Sequence, residues 1–252
     1  MSKIRLLIAE KNLSLGAKIK ISDGDFEYLT KVMRQKIGDE ILVFNGVDGE
    51  FAAIILQIEK RFLSAEIKEK ISDLKKVPNI TLAFAPVKNV RIDFIAAKAT
   101  ELGVARFQPI LTQHTIVDKI NSERFKANVK EACEQCERND FPEVLEIKKL
   151  DKFLAEAGLA EKILILCDES GEGMKASEIF PQIGKSEKEI VILIGPEGGF
   201  SKEEFVRMAT FKNKHSLNLG PRILRADTAI ISALTLVQEF LGDFDLKPKF
   251  NS

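Results

Sequence analysis

A small β-rich barrel followed by an α/β domain with a parallel sheet is the fold that this 252-residue sequence predicts. Three observations point to it. Residues 1 to about 72 hold five short strand-like runs and one helix. Beyond them, apolar strands alternate with amphipathic helices, the pattern of a parallel sheet covered by helices. Two glycine-proline loops, Gly195-Pro-Glu-Gly-Gly199 and Gly220-Pro-Arg222, each follow an apolar segment and lead into a helix.

In the first part, Ile4 to Ile8, Ala17 to Ile21, Glu40 to Phe44, Phe51 to Glu59 and Leu63 to Lys68 read as strands. Asn45-Gly-Val-Asp-Gly49 is a hairpin loop with two glycines free to take positive φ. Phe26 to Gln35 reads as a short helix capped by Asp25, with Leu29, Val32 and Met33 as its apolar stripe. Ser72 to Pro78 reads as the linker, so the expected domains are 1–72 and 73–252.

In the second part, Ile80 to Ala85 is a strand and Val90 to Leu102 a helix stopped by Gly103. Ile92, Ile95, Ala99 and Leu102 line one face of that helix. Arg106 to Leu111 is a strand. Ser122 to Arg138 is a helix with Ser122 as its cap and Phe125, Val129, Ala132 and Cys136 as its stripe. Lys162 to Cys167 is a strand, and Ile190 to Ile194, continuously apolar, is the expected central one. Ser201 and Glu204 have capping-box spacing before the helix to Ala209, with Phe200 and Phe205 as its hydrophobic staple. Leu217 to Leu219 is a short strand. Asp227 or Thr228 caps a last helix that runs through Leu241.

Composition removes several classes of function. Lys+Arg and Asp+Glu are both 38, so charge does not favour indiscriminate nucleic-acid binding, although a local basic cleft is compatible with it. Cys133 and Cys136 form a CxxC inside a helical pattern, with no second pair or histidine cluster beside it. They read as ordinary thiols, with no metal and no disulfide framework, in a protein of the cell interior. The charged start lacks signal-peptide character, and no apolar run reaches the roughly 18 residues of a membrane span.

Loops at the carboxyl ends of parallel strands are where α/β sheets bind ligands. The two glycine-proline loops occupy that place, and their glycines allow close approach to the backbone. Neither loop is a GxGxxG fingerprint or a phosphate loop. A nucleoside read by backbone groups therefore fits better than a di- or triphosphate. Glu197 is a carboxylate within the first loop; Arg222, Arg225 and Asp227 follow the second, with an Arg225–Asp227 ion pair as the plainer reading of the last two. Asp168-Glu169, after a strand, are suited to ribose hydroxyls or to capping their loop. Lys88 and Arg91 are three apart, as are Lys98 and Glu101; Arg91, Lys98 and Glu101 share a face of one helix, with Glu131, Gln135 and Arg138 at i, i+4, i+7 on the next, and such faces are usually only solvated.

Taken together, Ile194-Gly-Pro-Glu-Gly-Gly-Phe-Ser201 and Leu219-Gly-Pro-Arg-Ile-Leu-Arg-Ala-Asp-Thr-Ala229 resemble the cofactor site of the bacterial 16S ribosomal RNA uracil-N3 methyltransferases, of the knotted SPOUT class. The resemblance extends over nearly the whole chain: to Lys88, Arg91 and Lys98-Ala-Thr-Glu-Leu-Gly-Val104, to Glu131-Ala-Cys-Glu-Gln-Cys-Glu-Arg138 with Pro142, and to Arg5, Val32-Met-Arg34 and Gly38-Asp39. It implies a carboxy-terminal trefoil-knotted domain, a PUA-like amino-terminal RNA-binding barrel, a cytoplasmic homodimer, and methylation of one small-subunit uridine with S-adenosylmethionine. Knots are rare enough that strand-helix alternation alone would have suggested an open sheet.

The resemblance implies Leu193, Gly195, Pro196, Glu197, Gly198, Leu219, Gly220, Ile223, Leu224, Ala226 and Thr228 as the cofactor-binding set. Arg225 and Glu197 are the implied catalytic residues, and Arg5, Arg34, Lys88, Arg91 and Arg138 the RNA contacts. Glu27, Tyr28 and His114 depart from the family pattern, on the side expected to face RNA. Methylation of a ribose 2′-hydroxyl or of another base, and a non-catalytic role in ribosome assembly, are the competing readings.

Overall fold

The computed structural model describes residues 3–87, 89–156, 161–167 and 172–247, with backbone alone at 89–91. The chain divides into two compact units. One comprises Met1–Lys76 with Cys133–Phe141, the other Val77–Ala132 with Pro142–Ser252.

The first unit is a five-stranded half-barrel in the order β1-β3-β4-β5-β2. Its strands are β1 (Arg5–Leu7), β2 (Lys18–Ser22), β3 (Glu40–Phe44), β4 (Glu50–Ile58) and β5 (Phe62–Ser72). Three register shifts between β4 and β5 bend the sheet, which curls around a core that includes Leu29, Ile41, Ile55, Leu63 and Ile67. Gly46 and Gly49 take φ of 77° and 99° in the expected hairpin loop. The expected Phe26–Gln35 helix is different. Helix α1 (Asp23–Glu27) begins directly after Ser22, and a π-helical turn (Tyr28–Val32) follows it. The Met33 N–H donates to the Tyr28 carbonyl at 2.9 Å, an i→i+5 bond. That wider turn breaks the 3.6-residue stripe, so Leu29 is buried while Val32 is 65% exposed.

Asn139, itself buried, holds the stretch expected as a linker. Its Oδ1 accepts from the Lys75 N–H at 3.0 Å, and its Nδ2 donates to the Asp73 carbonyl at 2.9 Å. Arg5 sits deeper in this unit. Its guanidinium donates to Glu50 Oε1 at 2.6 Å, to the Cys133 and Glu134 carbonyls at 3.0 Å each, and to the Arg138 carbonyl at 3.3 Å.

The second unit is an entirely parallel sheet. Its strands are β6 (Ile80–Phe84), β7 (Arg106–Leu111), β8 (Glu143–Val144), β9 (Lys148–Lys149), β10 (Ile163–Cys167), β11 (Ile190–Ile194) and β12 (Lys214–Leu217). The order is β12-β10-β11-β6-β7, with β8 and β9 pairing successive stretches of β7. All five residues of β11 are buried, as a continuous apolar run between two parallel neighbours requires. The helices are α2 (Asn89–Glu101), α3 (Ser122–Gln135), α4 (Leu150–Leu154), α5 (Ala176–Ile183), α6 (Lys202–Ala209) and α7 (Ala226–Leu241). Gly103 closes α2 at φ 77°.

Several ends differ from expectation. Asn121, not Ser122, caps α3: its Oδ1 accepts from the Arg124 N–H at 3.0 Å. Helix α3 stops at Gln135, and Glu137 turns into the left-handed region at φ 62°. Arg138 therefore leaves the helical face proposed for it. Helix α7 begins ahead of Asp227 and Thr228, with Arg225 at its N-cap and no side-chain cap bond. Strand β12 ends at Leu217, so Leu219 belongs to the loop. Among the described residues, no helix is long and apolar enough to cross a membrane.

Candidate functional site

The carboxyl ends of β10, β11 and β12 enclose a cavity of about 320 Å³, within the range of small-ligand sites. The loop after β11 forms one wall. The Gly199 N–H donates to the Pro196 carbonyl at 2.9 Å, closing a tight turn in which Gly199 takes φ 69°. A Cβ on Gly195 would lie 2.8 Å from the Phe200 ring, so glycine lets that ring fold back under the loop. Phe200 in turn meets Phe205 edge-on, with ring centroids 5.8 Å apart. The capping box forms as expected: Ser201 Oγ accepts from the Glu204 N–H at 3.2 Å, and Glu204 Oε2 accepts from the Ser201 N–H at 2.8 Å. Staple and cap together fix the direction in which the chain leaves the cavity.

The loop after β12 forms the opposite wall. Asn218 Oδ1 accepts from the Gly220 N–H at 2.7 Å. Gly220 takes φ 107°, with no atom within 4 Å of the place where a Cβ would stand. Backbone conformation, not crowding, demands glycine there. Pro221, Arg222, Ile223 and Leu224 carry the chain to Arg225 and the first turn of α7.

Of the proposed ligand-binding residues, Gly195, Pro196, Glu197, Leu219, Gly220, Ile223, Leu224, Arg225 and Ala226 line this cavity. Leu193 does not. It is fully buried in a core with Ala83, Ile110 and Phe200, because successive strand residues face opposite sides and Ile194 takes the cavity side. Gly198 and Thr228 are not among the lining residues; Gly198 packs against His114, and Thr228 lies exposed on α7. Cys167, Ile194, Phe200 and Asn218 line the cavity without having been singled out. The expected strand end at Leu219 hid Asn218.

His114 is the other residue that sequence reasoning placed elsewhere. Its Nδ1 lies 3.0 Å from the Gly198 carbonyl and 3.1 Å from the Gly199 carbonyl. The adjacent Gln113 N–H donates to Glu204 Oε1 at 2.8 Å. Its one sequence signal was position: it follows β7 at the sheet end that carries the glycine loops.

The proposed RNA contacts do not form one set. Arg5 is only 8% exposed, and its guanidinium is spent on Glu50 and backbone carbonyls. Arg138 is also mostly enclosed, paired with Asp140 at 2.6 Å. Both guanidiniums are engaged inside the fold, where burial and these partners make them structural residues of the first unit. Arg34 is exposed beside the π-helical turn, at φ 54°. Lys88, Asp168 and Glu169 lie outside the described residues, as does the side chain of Arg91. Lys98 and Glu101 pair with each other at 2.7 Å on an exposed helical face. Burial pushes the Cys133 thiol up to about 12, which keeps it protonated. Among the described residues no cluster of His, Cys, Asp or Glu is arranged to hold a metal ion.

A parallel sheet with a glycine-walled cavity at its carboxyl end is the architecture of a ligand-binding α/β domain, and the chain carries a β half-barrel as a second unit. Residues 74–238 match the family model of an RNA methyltransferase domain, and residues 21–68 that of an RNA methyltransferase PUA domain. The chain belongs to this RNA methyltransferase family. It is 33% identical over 237 residues to the ribosomal RNA small subunit methyltransferase E of Rickettsia conorii, covering 94% of this chain and 96% of that one. The enzyme of the same name from Buchnera aphidicola (strain APS) is 31% identical, with 96% of each chain covered. Among solved structures, a Legionella pneumophila methyltransferase with bound SAM superposes with a TM-score of 0.85 at 30% identity, covering 97% of this chain and 100% of that one. The Neisseria gonorrhoeae ribosomal RNA small subunit methyltransferase E, bound to S-adenosyl methionine, gives 0.84 at 29% identity, covering 96% and 100%.

Proposed function

We propose that this protein methylates N3 of one uridine in 16S rRNA of the small ribosomal subunit, using S-adenosylmethionine, as a cytoplasmic homodimer. The observation that carries the reading is the cavity between the Gly195–Gly199 and Leu219–Arg225 loops. Its fit to the cofactor rests on three features. Gly199 and Gly220 leave main chain open to a ligand; Ile194, Ile223 and Leu224 offer apolar wall for a base; and there is no phosphate-binding loop. Relatives with 29–30% identity carry the same molecule.

When bound, S-adenosylmethionine supplies an electrophilic methyl group on a sulfonium. Glu197, at the cavity wall, offsets positive charge on the ligand. Arg225, exposed at the N-cap of α7 and lining the same cavity, stabilises the negative charge on the uracil oxygens as the N3 proton leaves to water. Much of the rate then comes from positioning. The target base must be unpaired or extruded, because a base pair covers N3.

In this reading residues 1–72 bind RNA and residues 73–252 carry the transfer. Arg34, Lys88 and Arg91 are its RNA contacts. We assign the carboxy-terminal part a trefoil knot, as the family resemblance implies.

The test is incubation with methyl-labelled S-adenosylmethionine and small ribosomal subunits, followed by mapping of the label. Label on uracil N3 is expected. Label on a ribose 2′-hydroxyl or another base refutes the assignment, and cofactor binding without any transfer favours an assembly role.

A further inference from the structure

We propose that His114 is a positioning residue for methyl transfer: it holds the Pro196–Gly199 turn in its ligand-binding shape from outside the cavity. This rests on the reading of that cavity as the S-adenosylmethionine site.

Both partners of Nδ1 are carbonyl oxygens, at 3.0 and 3.1 Å. Carbonyls only accept, so Nδ1 must carry a proton, and a neutral His114 is the Nδ1–H tautomer. A single N–H shared between consecutive carbonyls fixes the orientation of two adjacent peptide groups. The Gly199 carbonyl faces His114, so the Phe200 N–H, trans to it, points the other way. Gly199 and Phe200 both line the cavity.

These peptides need an external hold. Gly198 and Gly199 have the greatest backbone freedom of any residue type, and the backbone bond that closes the turn runs from the Gly199 N–H to Pro196 O. His114 is itself held. Thr112 and Thr115 brace its loop: the Thr112 N–H donates to Thr115 Oγ1, and the two hydroxyls lie 2.8 Å apart. The Gln113 N–H donates to Glu204 Oε1, while Glu204 Oε2 accepts from the Ser201 N–H. One buried carboxylate thus joins the loop after β7 to the start of α6, and the imidazole completes the latch two to three residues upstream. A Cβ on Gly198 would stand 3.2 Å from the His114 Cβ, so the loops are already at contact distance.

The test compares wild type with His114→Asn, His114→Gln and His114→Ala by calorimetric titration with S-adenosylmethionine, and by KM and kcat. An asparagine amide N–H falls near the place of Nδ1, whereas a glutamine amide falls near Nε2. Loss of about one net hydrogen bond should weaken binding by roughly three- to tenfold in the Ala and Gln variants. That loss should appear in KM for the cofactor, with kcat largely kept, and Asn should restore affinity to within about twofold of wild type. Equal affinity in all four proteins overturns the proposal, as does an equal loss in Asn and Ala. Nitrogen-15 NMR of the wild-type protein gives an independent readout. The chain has two histidines, so His215→Gln assigns the signals. A protonated Nδ1 with a bare Nε2 on His114 supports the latch, and the reverse tautomer overturns it even if a variant fails to fold. If wild type binds no S-adenosylmethionine, the cofactor reading fails, while the NMR result still decides the latch.

Discussion

Replacing Arg5 by methionine should cost the first unit about 4 kcal/mol. The substitution keeps most of the apolar volume and removes the guanidinium. Glu50, 6% exposed, then becomes a buried carboxylate without its partner at 2.6 Å. Breaking one side of such a pair costs about 3–5 kcal/mol, because the remaining charge is neither hydrated nor neutralised. The Cys133, Glu134 and Arg138 carbonyls lose a donor as well. The Phe44 ring, 4.8 Å from the guanidinium carbon, loses a cation contact. These losses overlap and will not add in full. Arg5→Met/Glu50→Leu removes the stranded charge but not the stranded carbonyls, so it should recover roughly half of the deficit. The chain has no tryptophan, and its one tyrosine, Tyr28, lies in the first unit, so tyrosine fluorescence in a urea titration reports this unit selectively. A single variant within about 1 kcal/mol of wild type, or a double variant no better than the single, would refute this account of the pair.

Three further outcomes are expected. Gly220→Ala should weaken S-adenosylmethionine binding by roughly tenfold in calorimetry, since φ 107° costs an alanine about 1–2 kcal/mol although nothing obstructs its methyl group. Ser201→Ala should destabilise the second unit by about 1 kcal/mol in thermal unfolding, the usual worth of an N-cap. Cys133 should resist alkylation at pH 8 in the folded protein and react once urea unfolds it. Its folded pKa, raised to about 12 by burial, lies above the ordinary thiol value of 9.0, so the unfolded chain sheds this proton first and stability should fall as pH climbs from 9 towards 12.

Periodicity located the strands and helices that obey one repeat throughout. β11 is continuously apolar because it is covered on both sides, and α7 ends at Leu241 where its stripe ends. The Phe200–Phe205 staple and Ser201–Glu204 box were readable because both partners lie within one helical turn. Reading failed where the repeat changes or the partner is distant. The π-helical turn at Tyr28 shifts the register of the stripe, so Val32 emerges into solvent. The resemblance implied Arg5 as an RNA contact, and its buried acceptors, the carbonyls of Cys133 and Glu134, were not visible because they lie far along the chain. Backbone acceptors leave no mark in sequence. His114 stayed hidden for the same reason. Leu193 was misplaced by a single residue, which in a strand is the difference between core and cavity.

The membership of Cys133–Phe141 in the first unit has a consequence for synthesis. Translation delivers β1 to β5 first, but Arg5, the Leu7 N–H and Lys75 all find partners in that later segment. A nascent chain halted after Lys76 therefore holds a half-barrel with a buried guanidinium only partly satisfied and an edge strand uncovered. On the ribosome this interval lasts on the order of seconds. An exposed β edge is a hazard during such a pause. A fragment ending at residue 76 should accordingly be prone to aggregation, whereas supplying Cys133–Phe141 as a tethered peptide should restore its solubility.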